Sequence, residues 1–428
     1  MGRNHEVRRM ERYSEYEDSG VQWLGEIPSH WELLKMKYAF KECSEKNHPN
    51  EEPLCATQSR GVIPQSLYEG RVVVVNKGFE GLKLVKVGDF VISLRSFQGG
   101  IEYAYYQGII SAAYTVLQPK ESDMAPYFKY MFKSHDYIQL LQTCVTGIRE
   151  GQNINYPLLA KKAVPIPPME EQHAIVSYLD TKCSKLDTFI SNKEKEITLL
   201  QEMKQRVITD AVTRGLNPNV KFKPTNIPWL PEIPEHWEEK RLSTQFTGDV
   251  QVNKDFTVKH AFKFNYGELV PKNEVGAPEE YRDVYVRYSL IKEGDVLING
   301  LNLNYDFVSQ RVACAPADGI ITSAYVVCRP RKNVNYNYYT LLFKAMDSMK
   351  LFHGMGSGIR LTLSFKELKK QLLPVPPIEE QHAIVSYITE RTAKIDSLIE
   401  KLNKEIECIK EYKQRLISDV VIGQIKVS

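Results

Sequence analysis

Two stretches of this chain place apolar residues at alternating spacings of three and four. In the first, Leu179, Cys183, Leu186, Ile190, Ile197, Leu200, Val207 and Ala211 form a stripe that Lys193 and Lys204 interrupt. In the second, Ile388, Thr392, Ile395, Ile399, Leu402, Ile406, Ile409, Leu416 and Val420 do the same, interrupted by Lys413. A seven-residue apolar period predicts long helices wound against a partner. Both stretches open on Pro-Pro and then Glu-Glu. Proline suits the first helical turn, and glutamate suits the positive end of the helix dipole. Each helix should run for roughly 40 residues, or about 60 Å at 1.5 Å per residue. Their most economical partner is each other, antiparallel; parallel pairing and pairing with another subunit are the alternatives.

The rest of the chain changes period. RVVVV (71–75), DFVIS (89–93) and YTVL (114–117) are short β-branched or aromatic runs, as are VYVRYSL (284–290), DVLIN (295–299) and YVVCR (325–329). Turn residues such as VGD, QGG, KEGD and ADG punctuate them. These read as strands. PYFKYMFKSHDYIQLLQ and YNYYTLLFKAMDSMKLF read as helices, so each body is mixed α and β.

The second half of the chain restates the first. WLGEIPSHWE (23–32) returns as WLPEIPEHWE (229–238), and these two copies hold all four tryptophans. VGDFVIS (87–93) matches EGDVLIN (293–299), and GIISAAYTVLQP (108–119) matches GIITSAYVVCRP (319–330). PIPPMEEQHAIVSY (165–178) returns as PVPPIEEQHAIVSY (374–387), and EMKQRVITD (202–210) as EYKQRLISD (411–419). A repeat of half the chain is a duplication of one large unit, not a solenoid. The frames agree while the segments between them differ, as in TQSRGVIPQSLYEG (57–70) against FNYGELVPKNEVGA (264–277). Two similar modules that read different things would show this pattern.

Composition narrows the class. At 428 residues the chain exceeds what one core usually serves. Seven cysteines lack CxxC or Cys/His ligand spacing, which fits a reduced intracellular protein without structural zinc. The charged start, MGRNHEVRRMERYSEYEDSG, does not read as a secretory signal, and no apolar run reaches membrane-spanning length. The expected location is the cytoplasm. A net charge of +3 permits a nucleic-acid surface only as a local patch.

Catalytic signatures are missing. No GxxxxGK[ST] phosphate loop occurs, and GMGSG (354–358) lacks the lysine and reads as a flexible loop. The Pro-Pro pairs sit in Ile-Pro-Pro-Met and Val-Pro-Pro-Ile, not in the Asn/Asp-Pro-Pro-Tyr/Phe of adenine methyltransferases. His173 and His382 fall in a helical first turn without a neighbouring nucleophile, which favours capping or subunit contact over acid-base work. The tryptophans read as core or helix-docking anchors rather than base-stacking platforms.

In WLGEIPSHWE and WLPEIPEHWE, the two EEQHAIVSY stretches, KQRVITDAVTRG with GLNPNV, and the terminal VIGQIKV, the chain resembles the specificity subunits of type I restriction-modification systems. The features come in order, in duplicate, and over nearly the whole chain. The resemblance implies an α+β fold: two tandem, pseudo-twofold-related mixed α/β target-recognition domains separated by two long antiparallel coiled-coil helices. The expected limits are 1–168 for the first domain, including an N-terminal segment 1–20, and 169–215 for the first spacer helix. The second domain takes 216–376, and the second helix with its tail takes 377–428. It also implies a non-catalytic subunit without cofactors of its own. Two methyltransferase subunits and the motor-nuclease restriction subunits would be its partners, using S-adenosylmethionine, ATP and Mg. Each domain would read one half of a split double-stranded DNA site. The competing readings are a self-contained nuclease or methyltransferase, against which the missing motifs count, and a duplicated protein-binding scaffold with a helical spacer.

Arginine and lysine suit guanine and phosphate, and asparagine and glutamine suit adenine. The candidate DNA-binding residues in the first body are therefore Arg60, Lys77, Arg95, Ser96, Gln98, Arg149, Gln152 and Asn153. In the second they are Lys263, Lys272, Asn299, Asn302, Asn304, Arg311 and Arg360. Arg149 and Arg360 stand out because Gly-Ile-Arg recurs just before each long helix, and their expected role is to hold phosphates. Arg149→Ala should then weaken DNA binding about equally across sequences and lower the salt slope by about 1, measured by titration at several salt concentrations. A changed base preference would contradict the phosphate role.

Overall fold

The computed structural model describes residues 11–70, 78–146, 153–356 and 361–427. The expected strand at 71–75 and both Gly-Ile-Arg motifs lie outside them. The chain divides into two compact units, residues 1–193 with 403–428, and residues 194–402. The divisions fall inside the long helices, not at their ends, and the C-terminal segment belongs to the first unit. The long helices, Met169–Arg214 and Ile378–Val421, each contribute to both units.

Each unit is built on the same antiparallel frame. In the first, a four-stranded sheet runs in the order Phe40–Cys43, Thr115–Pro119, Phe90–Ile92, Glu102–Tyr103. In the second the order is Phe246–Thr247, Val326–Pro330, Val296–Ile298, Val312–Cys314. A helix packs over each sheet. Phe40, Phe90, Phe128 and Phe132 meet in one aromatic cluster in the first unit, and Phe246, Tyr339 and Phe343 in the second. Truncating such a ring to alanine costs about 3–5 kcal/mol, so these clusters fix where sheet and helix meet.

Two expectations from periodicity are corrected. The helix expected through PYFKYMFKSHDYIQLLQ is two helices, Ala125–Met131 and His135–Thr143. Ser134 separates them because its hydroxyl accepts from Tyr137 N and caps the second. VYVRYSL holds a strand only at Ser289–Ile291, and Arg282–Tyr285 before it is helical. Tyr285 turns inward there and packs on Tyr281 and Tyr288, so aromatic burial overrides strand propensity. GMGSG starts on the last residue of a short 3-10 turn, Leu351–Gly354, and its last two residues lie outside the described residues.

The duplicated motifs converge on one joint per unit. Strand Glu32–Lys35, which begins in the first HWE, pairs with Ala163–Ile166, which leads into the first long helix. Glu238–Arg241 pairs with Leu372–Val375 in the same way. The Glu171 carboxylate accepts from Trp31 Nε1 at 3.0 Å and Tyr13 OH at 2.9 Å, and lies 2.6 Å from His30 Nε2. Burial pushes this carboxyl up, but its Trp31, His30 and Tyr13 partners outweigh that and hold it below the ordinary carboxylate range. Glu380 accepts from Trp237 Nε1 at 3.0 Å and lies 2.7 Å from His236 Nε2. Gln172 and Gln381 are buried, each donating at 2.9 Å to a proline carbonyl just before its helix.

The end of the other long helix closes each joint. Gly423, at φ +80°, leaves no room for a Cβ, which would lie 2.5 Å from Pro28 and 3.0 Å from Trp31. Gly215, at φ +74°, would place one 2.8 Å from Glu380 and 3.2 Å from Trp237. Glycine is required at both points by φ and by contact. The start of one long helix, the end of the other and the His-Trp pair therefore meet in each unit.

Beyond the joints the lysines that break the apolar stripe find acids on the opposite helix. Within the first unit, Lys413 pairs with Asp187 at 2.6 Å and Lys193 with Glu405 at 3.4 Å, an antiparallel pattern. Within the second, Lys204 pairs with Asp396 at 2.7 Å. Lys204 and Lys413 are equivalent in the repeat, as are Asp187 and Asp396, so the same pair forms twice with the copies exchanged. These partly exposed pairs are worth roughly 0.2–1 kcal/mol each, so they fix register more than they stabilise.

Removing the indole donor tests the joint. Trp237→Phe should destabilise the second unit by roughly 1.5–3 kcal/mol, the value of a hydrogen bond to a charged group. Hydrogen exchange should show faster opening within 194–402 and little change in the residues of the first unit that lie far from the joint. Unchanged exchange throughout would mean that the Glu380 bond contributes nothing.

Candidate nucleic-acid interface

Two of the segments that differ between the copies fall at equivalent places in each unit. The first is a hairpin. Leu54–Thr57 pairs with Gly61–Pro64, and Phe262–Asn265 with Glu268–Pro271. Gly61 and Gly267 occupy the same repeat position and the same left-handed conformation, at φ +70° and +77°. Both are crowded: an added Cβ would lie 2.5 Å from Tyr103 O at Gly61 and 2.5 Å from Gln310 Oε1 at Gly267. The tip residue before each glycine is different, Arg60 in one and Tyr266 in the other, and both are exposed.

The second place is the loop that follows the matching strands Phe90–Ile92 and Val296–Ile298. In the first unit it is a single helical turn, Ser96–Gly99. Ser96 Oγ accepts from Ser93 N at 2.9 Å to close it. In the second unit it is longer and irregular, running from Asn299 to Arg311. Asn302 turns it at φ +53°, and the Asp306 carboxylate accepts from Val308 N and Ser309 N. Those backbone donors, after the Ser309 side chain, hold the Asp306 carboxyl down to about 2.

A cation lies under each of these loops, half-buried in the first unit and fully buried in the second. Lys133 Nζ donates to Gly99 O at 2.8 Å, to Gln58 O at 3.3 Å and to Glu102 Oε1 at 2.7 Å. Glu102 is 1% exposed, and burial pushes its carboxyl up to about 7 against the pull of Lys133. Burial likewise pushes the Lys133 amine down, with Glu102 opposing. In the second unit Arg311 is fully buried; its guanidinium donates to Asn299 O at 3.0 Å, Leu301 O at 2.8 Å and Asp306 O at 2.5 Å.

The candidates from sequence separate accordingly. Arg60, Arg95, Gln98 and Asn153 are exposed in the first unit, the first three on the hairpin tip and the adjoining turn. Asn153 lies in the short strand Asn153–Ile154, against that turn. Lys263 and Asn302 are exposed in the second unit. Arg311 and Ser96 are corrected: both are buried with internal partners and offer nothing to a ligand surface. Asn299 is half-buried and its side chain accepts from Leu301 N, so it shapes the loop. Asn304 is half-buried with its side-chain oxygen buried and unpartnered. Lys272 is paired with Glu274 beside the Tyr285 and Tyr288 rings. Lys77, Arg149, Gln152 and Arg360 lie outside the described residues.

Sequence reasoning missed the exposed aromatics of the second unit. Tyr266 is 87% exposed, Tyr305 79% and Phe307 54%, with the Phe307 ring stacked on His353 at 4.5 Å. Their signal was available: aromatic residues set among Asn, Gly and Asp in segments that differ between the copies. Among the described residues no group of three or more His, Cys, Asp or Glu is placed to hold a metal ion, and no helix is long and apolar enough to cross a membrane.

The buried Glu102 makes a pH prediction. Its carboxyl binds a proton more tightly in the folded unit than in the unfolded chain, from a reference of 4.5 up to about 7. The stability it supports is therefore full below pH 4.5 and is lost as pH rises through 7. Thermal melts between pH 4.5 and 7.5 should show this decline, and Glu102→Gln should flatten it. An equal slope in the variant would show that Glu102 does not titrate in this range.

Comparison with known proteins fits this geometry. The family described as type I restriction modification DNA specificity domain matches residues 32–199 and 310–408, well over half of the chain. A Methanocaldococcus jannaschii chain described as the MjaX type I restriction enzyme specificity subunit is 24% identical, covering 94% of this chain and 96% of that one. The MjaVIII specificity subunit of the same organism is 25% identical over 80% of each chain. The EcoBI specificity subunit of Escherichia coli is 25% identical over 61% of this chain and 58% of its own. A solved structure concerned with assembly and conformational transition of the type I R-M system includes a chain of the same fold. Its TM-score is 0.65 at 15% identity, covering 93% of this chain and 99% of that one. The chain belongs to the type I restriction-modification DNA specificity family, and DNA recognition within such a system is its role.

Proposed function

We propose that each unit reads one half of a bipartite double-stranded DNA site, and that the two long helices form a continuous antiparallel coiled coil that sets the spacing between the halves. The observation that carries this reading is the distribution of difference between the copies. Joints, sheets and turn glycines are shared, whereas the hairpin tips and the loops after the third framework strand are not. A dimeric DNA reader holds two identical heads at fixed separation. Covalent duplication keeps that separation and lets the heads diverge, so the site becomes asymmetric. The exposed Arg60, Arg95, Gln98 and Asn153 would serve one half, and Lys263, Asn302 and the exposed tyrosines the other.

The chain itself would be non-catalytic. The missing phosphate loop and missing methyltransferase motif support this. Chemistry would belong to two methyltransferase subunits docked on the shared frame, and to restriction subunits in the full assembly. S-adenosylmethionine, ATP and Mg would be used there. Because the joint is duplicated, a partner that recognises it would bind twice.

Purifying the tagged chain from its own cells and counting what accompanies it tests this. Two methyltransferase copies per chain are expected, with methylated adenines mapping to a split, asymmetric sequence. The complex should lose DNA affinity steeply with salt. A chain that carries partners but shows no salt-sensitive DNA affinity would instead be a protein-binding scaffold.

A further inference from the structure

We infer that Lys133 and Arg311 are positioning residues for DNA reading, each a cation that ties its unit's variable loop to the shared frame, half-buried in the first unit and fully buried in the second. This rests on the proposed reading of one half-site by each unit. Arg311 is fully buried, and the half-buried Lys133 spends its three N–H donors on internal acceptors, so neither acts as a direct DNA contact.

The two latches are built from different residues at different places in the repeat. Lys133 lies between the two short helices over the sheet, and its repeat partner is Lys344. Arg311 ends the loop just before the strand Val312–Cys314, and its repeat partner by strand register is Gly100. The result is nonetheless the same. Lys133 gathers the last carbonyl of the 96–99 turn, the hairpin-tip carbonyl of Gln58 and the buried Glu102, and so joins both variable segments of the first unit. Arg311 gathers Asn299, Leu301 and Asp306 carbonyls along the longer loop of the second. Gln310 beside it fills the space over Gly267 in the hairpin turn. Carbonyls that converge on the buried Arg311 cannot relax outward without leaving that charge unpaired, and moving Lys133 would leave the buried Glu102 without its partner; both are costly.

Each latch is also tied to a long helix by a duplicated glutamine. Gln414, in EYKQR, donates to Lys133 O at 2.5 Å. Gln205, in EMKQR, donates to Ser348 Oγ at 2.8 Å. The neighbouring Asp347 accepts from Arg311 N at 2.7 Å. A short run of hydrogen bonds thus leads from the shared helices to the loop that differs. Base readout by bidentate contacts depends on the loop being held in place, since a displaced side chain loses its discrimination.

Half-site mapping separates this from a general loss of folding. The chain should be assembled with its methyltransferase partners, and sequence discrimination measured at every base position by methylation of a randomised-site DNA library. Lys133→Met should relax discrimination roughly 5- to 150-fold per base position in one half only, and Arg311→Met in the other half only. Lys133→Arg should restore the first. If Arg311→Met fails to assemble, Arg311→Lys, which keeps the charge but reaches fewer carbonyls, should still relax the second half and speed amide exchange of residues 299–311. Assembled variants that keep full discrimination in both halves would overturn the inference, as would relaxation of both halves alike. A wild-type complex that shows no split site would instead overturn the half-site reading on which the inference stands.

Discussion

The hydrogen bond from a buried indole to the first-turn glutamate of a long helix is the constraint on which the rest of this molecule depends. Trp31 holds Glu171 and Trp237 holds Glu380, each with a histidine on the same carboxylate. That carboxylate also sits at the positive end of its helix, where charge is favoured. The same indole packs against a glycine that ends the other helix. One small cluster therefore sets where each helix starts and where its neighbour stops. Changing its members would misplace the stripe of apolar residues and the Lys-Asp pairs that follow from it.

With the frame fixed twice, the sequence is free to vary elsewhere. The hairpin keeps its left-handed glycine but changes its tip from arginine to tyrosine. The loop after the third framework strand is one helical turn in the first unit and an Asn-rich excursion in the second. Electrostatics follow: with a net charge of only +3 the field of the whole chain is weak, so in the proposed reading DNA affinity would come from local cations at these edges.

Much of this was legible in the residues because it was written twice. The long helices, the shared strands and the joint motifs repeat closely enough that period and composition identify them. The misread parts were governed by burial that no local pattern encodes. VYVRYSL has strand propensity, yet Tyr285 is drawn into a small aromatic core and the segment begins as helix. Arg311, in a loop rich in Asn, has the composition of a surface cation; only the convergence of three carbonyls makes it internal. Ser134 looks like any mid-helix serine until the chain turns at it and its hydroxyl becomes a cap. The aromatics at 266, 305 and 307 were passed over because base-edge chemistry directs attention to charge and amide groups.

The most direct test of the account is to make the two copies alike. In a chain whose second body, residues 229–376, is replaced by the first, residues 23–167, both units would carry the same hairpin tip and loop on an unchanged pair of joints. Mapping the adenines it methylates with its partners should give a symmetric site, one half-sequence repeated in inverted orientation about a constant gap. A folded, partnered chain that still methylates the original asymmetric site would contradict the account, because recognition would then not reside in the segments that distinguish the two units.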